Sequence, residues 1–225
     1  MYPYSETKIS LYNSKICPYA QRVAIALEEA KISHENFEID LSNKPEWFEE
    51  VNPASKVPTM RLPTGEIIVE SFLMIEYIAE QYPESKLMPE SPLDKYKVRF
   101  FVEYFGTKVI PLMFKLIHAY KDETVKAEAY SEIVEELRVV NKKLLENSDT
   151  GPFFFGKDFT IADIATITFV ERLEMALEIT NLEIKSVSGL ERYNVWKSTI
   201  MAKPSYISSL ATREELMESY KKFMK

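Results

Sequence analysis

The hydrophobic period of this chain changes once, between Tyr82 and Tyr96, and that change limits the folds open to it. Up to Tyr82, short alternating runs and helix-spaced runs interleave; beyond Pro92 strand signals nearly vanish and apolar residues recur at helical intervals. The stretch between carries Pro83, Pro89 and Pro92, which stop helices and favour extended connections. The pattern reads as α/β plus all-α: a mixed domain over 1–83, a linker over 84–92 and an all-helical domain over 93–225.

In the first part, Lys8 to Tyr12 alternates as a strand does, and Pro18 to Ala30 places Val23, Ala26, Leu27 and Ala30 at helical spacing. Pro18 suits a first helical position, where its missing N–H would have had no partner. His34 to Leu41 reads as a second strand, Pro45 to Val51 as a short helix, and Val57 to Leu62 as a third strand. Pro63-Thr64-Gly65-Glu66 turns the chain into Ile67-Ile68-Val69, and a helix runs from Glu70 or Ser71 to about Tyr82. The order βαβ then αββα, with a late hairpin, is the thioredoxin-like arrangement.

In the second part, Tyr96 to Tyr120 reads as a long helix bent near Pro111. Ile133, Leu137, Val140 and Leu144 give the stretch from Thr124 to Glu146 one buried face. Thr160-Ile161-Ala162-Asp163 has the shape of a capping box, and the helix behind it is apolar on most sides, hence central. Two more helices are predicted over Val187 to Met201 and Ser205 to Phe223.

Charge and composition exclude several functions. The sum of 28 basic and 35 acidic residues is −7, which lacks the basic footprint that nucleic acid demands. No apolar run approaches the roughly 20 residues of a membrane span, and the first eight residues have no apolar signal core. The expected compartment is the cytoplasm, and a single cysteine fits its reducing conditions. The 5 glycines form no phosphate-binding loop, and the 2 histidines, His34 and His118, have no metal-ligand spacing, so no metal is expected.

That cysteine, Cys17, lies between a strand and a helix. There it faces backbone N–H groups without intrahelical partners, which favour thiolate over thiol. A free thiol near pKa 8.5 is only about 3% ionised at pH 7, and bringing it to about 6 takes about 3.4 kcal/mol. A helix end supplies about 0.3 to 1 kcal/mol, or about 2 when partly buried, so further help is required. Hydrogen bonds from Tyr19 or Ala20, or charge from Lys15 or Lys56, are the candidates. The alternative is an inert cysteine packed as a small hydrophobe. If Cys17 reacts, Ala20 stands where a dithiol enzyme has its second cysteine, so a disulfide at Cys17 must be resolved by an external thiol.

Four segments carry a family resemblance: Ile16 to Arg22, Asn52 to Thr59, Glu70-Ser71 with Ile75 to Ile78 and Tyr82-Pro83, and Phe159 to Asp163 followed by Phe169 to Glu174. In this order and spacing the chain resembles a cytosolic glutathione transferase, most closely the cysteine-type, omega-like class. The resemblance implies that Cys17 is catalytic, with Pro18 and Tyr19 beside it, that Val57 pairs its backbone with the cysteinyl part of glutathione, and that Pro58 is cis. It further implies that Lys56 meets the glycyl carboxylate, and that Glu70 and Ser71 hold the γ-glutamyl end. Glutathione is then the co-substrate, with a small electrophilic or disulfide substrate, and the protein is a homodimer. The activity implied is glutathione-dependent thiol transfer, including dehydroascorbate-type reduction. The alternatives are conventional conjugation using Tyr12 or Ser14, and a non-catalytic binding protein. Ala54-Ser55 departs from the family's usual glycine before Lys56. The acceptor is expected near Tyr104, Phe105 and Phe114.

Overall fold

The computed structural model describes residues 2–222 and 224. Its contacts divide the chain into two units, one of residues 1–88 with 204–211 and one of residues 89–203 with 212–225.

The first unit is built on a four-stranded sheet in the order β2-β1-β3-β4, with β1 at Ile9–Asn13, β2 at His34–Glu38, β3 at Thr59–Arg61 and β4 at Ile67–Ile68. β1 runs parallel to β2 and antiparallel to β3, and β3 and β4 form the hairpin. Gly65, at φ 108°, makes the hairpin turn, because that backbone conformation strains any residue with a Cβ. Helices α1 (Pro18–Glu29), α2 (Phe48–Val51) and α3 (Ser71–Gln81) complete the thioredoxin-like layer.

The alternation in β1 leads one to expect a solvated face, yet every residue of the strand is buried. β1 is an interior strand, so both faces are covered. Ser10 is accommodated by accepting a hydrogen bond from the Ser5 N–H at 2.8 Å. Tyr12 packs with Ile39, Phe48 and Val51 in a cluster that Trp47, Phe37 and Val57 flank.

The second unit is all-helical: α4 (Pro92–Tyr104), α5 (Ile110–His118), α6 (Glu123–Asn147), α7 (Ile161–Ile179), α8 (Glu191–Met201) and α10 (Arg213–Lys221), with α9 (Pro204–Ser208) assigned to the first unit. α7 is the central helix, buried on nearly all sides as its composition predicts. The Thr160–Asp163 capping box starts it, and the Asp163 carboxylate also accepts hydrogen bonds from Phe154 N and Trp196 Nε1, both at 2.8 Å.

Two helical predictions need correction. The bend assigned to Pro111 is a π-helical turn, Phe105–Val109, immediately before it. Proline lacks the N–H that would cap the carbonyl four residues back, and a widened turn accommodates the loss. The single helix predicted from Ser205 is two helices, because Thr212 and Glu215 form a second capping box that starts α10 afresh. Its predicted end at Phe223 lies outside the described residues.

Candidate functional site

Cys17 is the N-cap of α1, with an extended backbone (φ −87°, ψ 116°) and Pro18 in the first helical position behind it. Its N–H donates to Ser14 O at 2.9 Å and its carbonyl accepts from Gln21 N at 3.0 Å, which fixes the turn on both sides. The Cys17 side chain makes no cap bond to the first turn of α1. Sγ instead lies 3.8 Å from the Val57 carbonyl.

Val57 precedes a cis proline, Pro58. Both line a pocket of about 440 Å³ together with Tyr19, Lys56, Glu70 and Ser71, within the ~300–1,000 Å³ range of small-molecule sites. Tyr19 from the start of α1, Lys56, Val57 and Pro58 from the loop before β3, and Glu70 and Ser71 from the start of α3 thus meet at one cavity, whereas Cys17 and Pro18 do not line it and Cys17 reaches its wall only through the contact with Val57. Lys56 and Glu70 are exposed at its rim, and Ser71 is buried in its wall.

The loop before β3 is organised by Asn52, whose buried side chain donates to Lys56 O at 3.0 Å and to Thr59 Oγ1 at 2.9 Å. Its Oδ1 accepts from Ala54 N at 3.0 Å. Ser55, at φ 50°, occupies the left-handed region that favours glycine, so the loop adopts the turn without one. Lys44 Nζ donates to Ser55 O at 2.7 Å and holds that turn from outside.

Glu70 is the N-cap of α3 at φ 67°, ψ 101°, a sparsely populated conformation. Non-glycine residues are held there only where surrounding structure determines them, and such positions cluster at ligand sites. Ser71, the first residue of α3, accepts a hydrogen bond from Arg22 Nη1 at 3.2 Å.

Arg22, the donor to Ser71, is not singled out by the sequence. It is 6% exposed and lies on α1, with its guanidinium 5.2 Å from the Tyr19 ring centre. Burial lowers its pKa to about 10, against the opposing influence of Tyr19 and Cys17, so it stays cationic at neutral pH. The attraction is mutual, and the guanidinium favours negative charge on the Cys17 sulfur. An arginine directly before the apolar run Val23 to Leu27 was the available signal.

Tyr12 does not line the pocket. Its hydroxyl donates to Pro3 O at 2.8 Å, its ring stacks on Phe37, and burial pushes its pKa up to about 12. Ser14 is buried, its carbonyl holding Cys17 N. Of the aromatic residues expected near the acceptor, Phe105 is core, Tyr104 is half-buried with its hydroxyl on Glu136, and Phe114 is half-buried. Among the described residues no helix is long and apolar enough to cross a membrane.

The glutathione S-transferase N-terminal domain family matches residues 11–86, and the glutathione S-transferase C-terminal domain family matches residues 96–181. Glutathione S-transferase omega-1 of Mus musculus is 33% identical over 203 residues, 90% of this chain and 80% of that one. The chain belongs to the glutathione transferase family. Among solved structures, glutathione transferase Omega 2C from Trametes versicolor superposes with a TM-score of 0.77 at 31% identity, over 97% of this chain and 100% of that one. A further relative, from Oryza sativa subsp. japonica, is "Probable glutathione S-transferase DHAR1, cytosolic", 28% identical over 91% of this chain and 88% of its own. With its omega-class relatives the protein is a glutathione transferase enzyme, of a family that uses glutathione as co-substrate.

Proposed function

We propose that this transferase works as a glutathione-dependent thiol transferase, reducing mixed disulfides and dehydroascorbate-type acceptors through Cys17. The observation that carries the reading is the position of Sγ, at the N-cap of α1 and 3.8 Å from the Val57 carbonyl in the pocket wall, in a chain with no second cysteine.

The cycle follows from that placement. The Cys17 thiolate attacks the glutathionyl sulfur of a mixed disulfide, forming a Cys17–glutathione disulfide and expelling the acceptor thiolate. A second glutathione thiolate then attacks that bond, releasing glutathione disulfide and restoring Cys17. Val57 N–H and C=O are suited to pair with the cysteinyl backbone as an added strand edge does. Glu70 pairs with the γ-glutamyl ammonium, Ser71 and the α3 N-terminus receive its carboxylate, and Lys56 meets the glycyl carboxylate. Tyr19 forms a wall. Conjugation to aryl halides is weak, because a neighbouring thiolate does not help ionise a second thiol. The same reading takes the protein as a cytoplasmic homodimer.

The test compares wild type with Cys17→Ser for disulfide reduction and aryl halide conjugation. Reduction is expected to fall by about 10³-fold or more, as when a covalent nucleophile is removed, while conjugation holds or rises. A variant that still reduces disulfides would overturn the mechanism.

A further inference from the structure

We propose that Arg22 is a positioning residue for the ligand: by donating to Ser71 Oγ it occupies one of that oxygen's two lone pairs and polarises the hydroxyl, so that Ser71 is a better hydrogen-bond donor to an anionic group in the pocket. This rests on the reading that Ser71 receives the γ-glutamyl carboxylate, and it extends that reading to the α1 residue bonded to Ser71.

A serine hydroxyl both donates and accepts, so alone it shows little preference between an anionic acceptor and a cationic donor. Here Arg22 Nη1 lies 3.2 Å from Ser71 Oγ, and both residues are buried, at 6% exposure each. Arginine has only donors, so the bond can run in one direction alone. With one of the two lone pairs of Oγ engaged by a cationic donor, the O–H is polarised as a donor, and the pocket that Ser71 lines is a place where an anionic ligand can accept it. The guanidinium also remains cationic at neutral pH although burial lowers its pKa to about 10. Its field adds to that of the α3 N-terminus, and both favour a carboxylate over an ammonium at this corner. Glu70, one residue earlier and exposed at the rim, has the opposite sign, so the two neighbouring positions sort the two charged groups of an α-amino acid. Arg22 itself is held in place by the Tyr19 ring at 5.2 Å, so the wall residue and the hydroxyl are set by one side chain.

The decisive experiment is a double-mutant cycle on binding of S-methylglutathione, a thioether that removes Cys17 chemistry from the measurement. Calorimetry is run on wild type, Arg22→Met, Ser71→Ala and the double variant, with circular dichroism to confirm folding. Arg22→Met is expected to weaken binding by about tenfold in the wild-type background, the scale of a hydrogen bond involving a charged group. In the Ser71→Ala background the loss should shrink below about threefold, because the group through which Arg22 acts is gone. Equal losses in both backgrounds would overturn the proposal and leave the glutathione reading standing. Should Arg22→Met unfold, Arg22→Lys, which keeps the charge but not the planar fork, is used in the same cycle with the same expected shrinkage. Wild type that fails to bind S-methylglutathione at millimolar concentration would overturn both this role and the reading it rests on.

Discussion

Tyr12 and Cys17 lie in the same strand–turn–helix and both could do thiol chemistry, but their surroundings divide them. Tyr12 is fully buried, and its hydroxyl is committed to Pro3 O at 2.8 Å, whereas Cys17 is partly exposed beside the pocket. Tyr12→Phe should therefore cost about 1 kcal/mol in urea denaturation, the worth of one hydrogen bond, with reductase and conjugation rates unchanged. A loss of conjugation in that variant would return Tyr12 to the reaction. The placement of Cys17 at the head of α1 was legible in the sequence because its cause is local: a strand, a thiol, a proline, a helix. The Arg22 contact was not, because its partner, Ser71, is 49 residues away and no local pattern records that pairing.

Loops and helices show the same divide between local and distant causes. The convergence of α1, the loop before β3 and the start of α3 is legible as motif order, since each segment carries its own residues. The loop's shape is not: Ser55 stands at φ 50° where a glycine is usual, held by Asn52 O through its N–H at 2.7 Å and by Lys44 at its carbonyl. Ser55→Gly should leave stability and glutathione binding close to wild type, since relief of strain offsets added chain entropy. Ser55→Val should destabilise by about 1 to 3 kcal/mol, as a β-branched residue in the left-handed region must, and should weaken glutathione binding by displacing Lys56. Thermal melts and calorimetry on the pair decide it; equal behaviour of the two variants would mean the left-handed turn does not control the loop. The π-helical turn before Pro111 and the fresh start at Thr212 escaped prediction for a related reason. Apolar spacing continues across both, and only the backbone hydrogen bonds show where one helix stops.

For the molecule as a whole, the dependence of stability on pH is set in part by Asp163, a carboxyl with 0% exposure that accepts from Thr160 N at 2.9 Å, Phe154 N and Trp196 Nε1. Burial raises its pKa to about 6, outweighing the hydrogen bonds that pull it down. In the unfolded chain the same group titrates near 3.9. Between about pH 4 and pH 6 the folded protein therefore holds a proton that the unfolded chain has released, and raising the pH through that window favours unfolding. The stability this group contributes is fully present below about pH 4 and is lost as the pH passes 6, a change of about 3 kcal/mol. Asp163→Asn keeps the shape and cannot titrate, so the difference between wild type and this variant isolates the group. Urea denaturation at pH 4, 5, 6 and 7 should show wild type losing ground to the variant at each step. A wild type that gains ground instead would mean that the three N–H donors, rather than burial, set the ionisation of Asp163, and that the core joining α7 to α8 is built around a carboxylate.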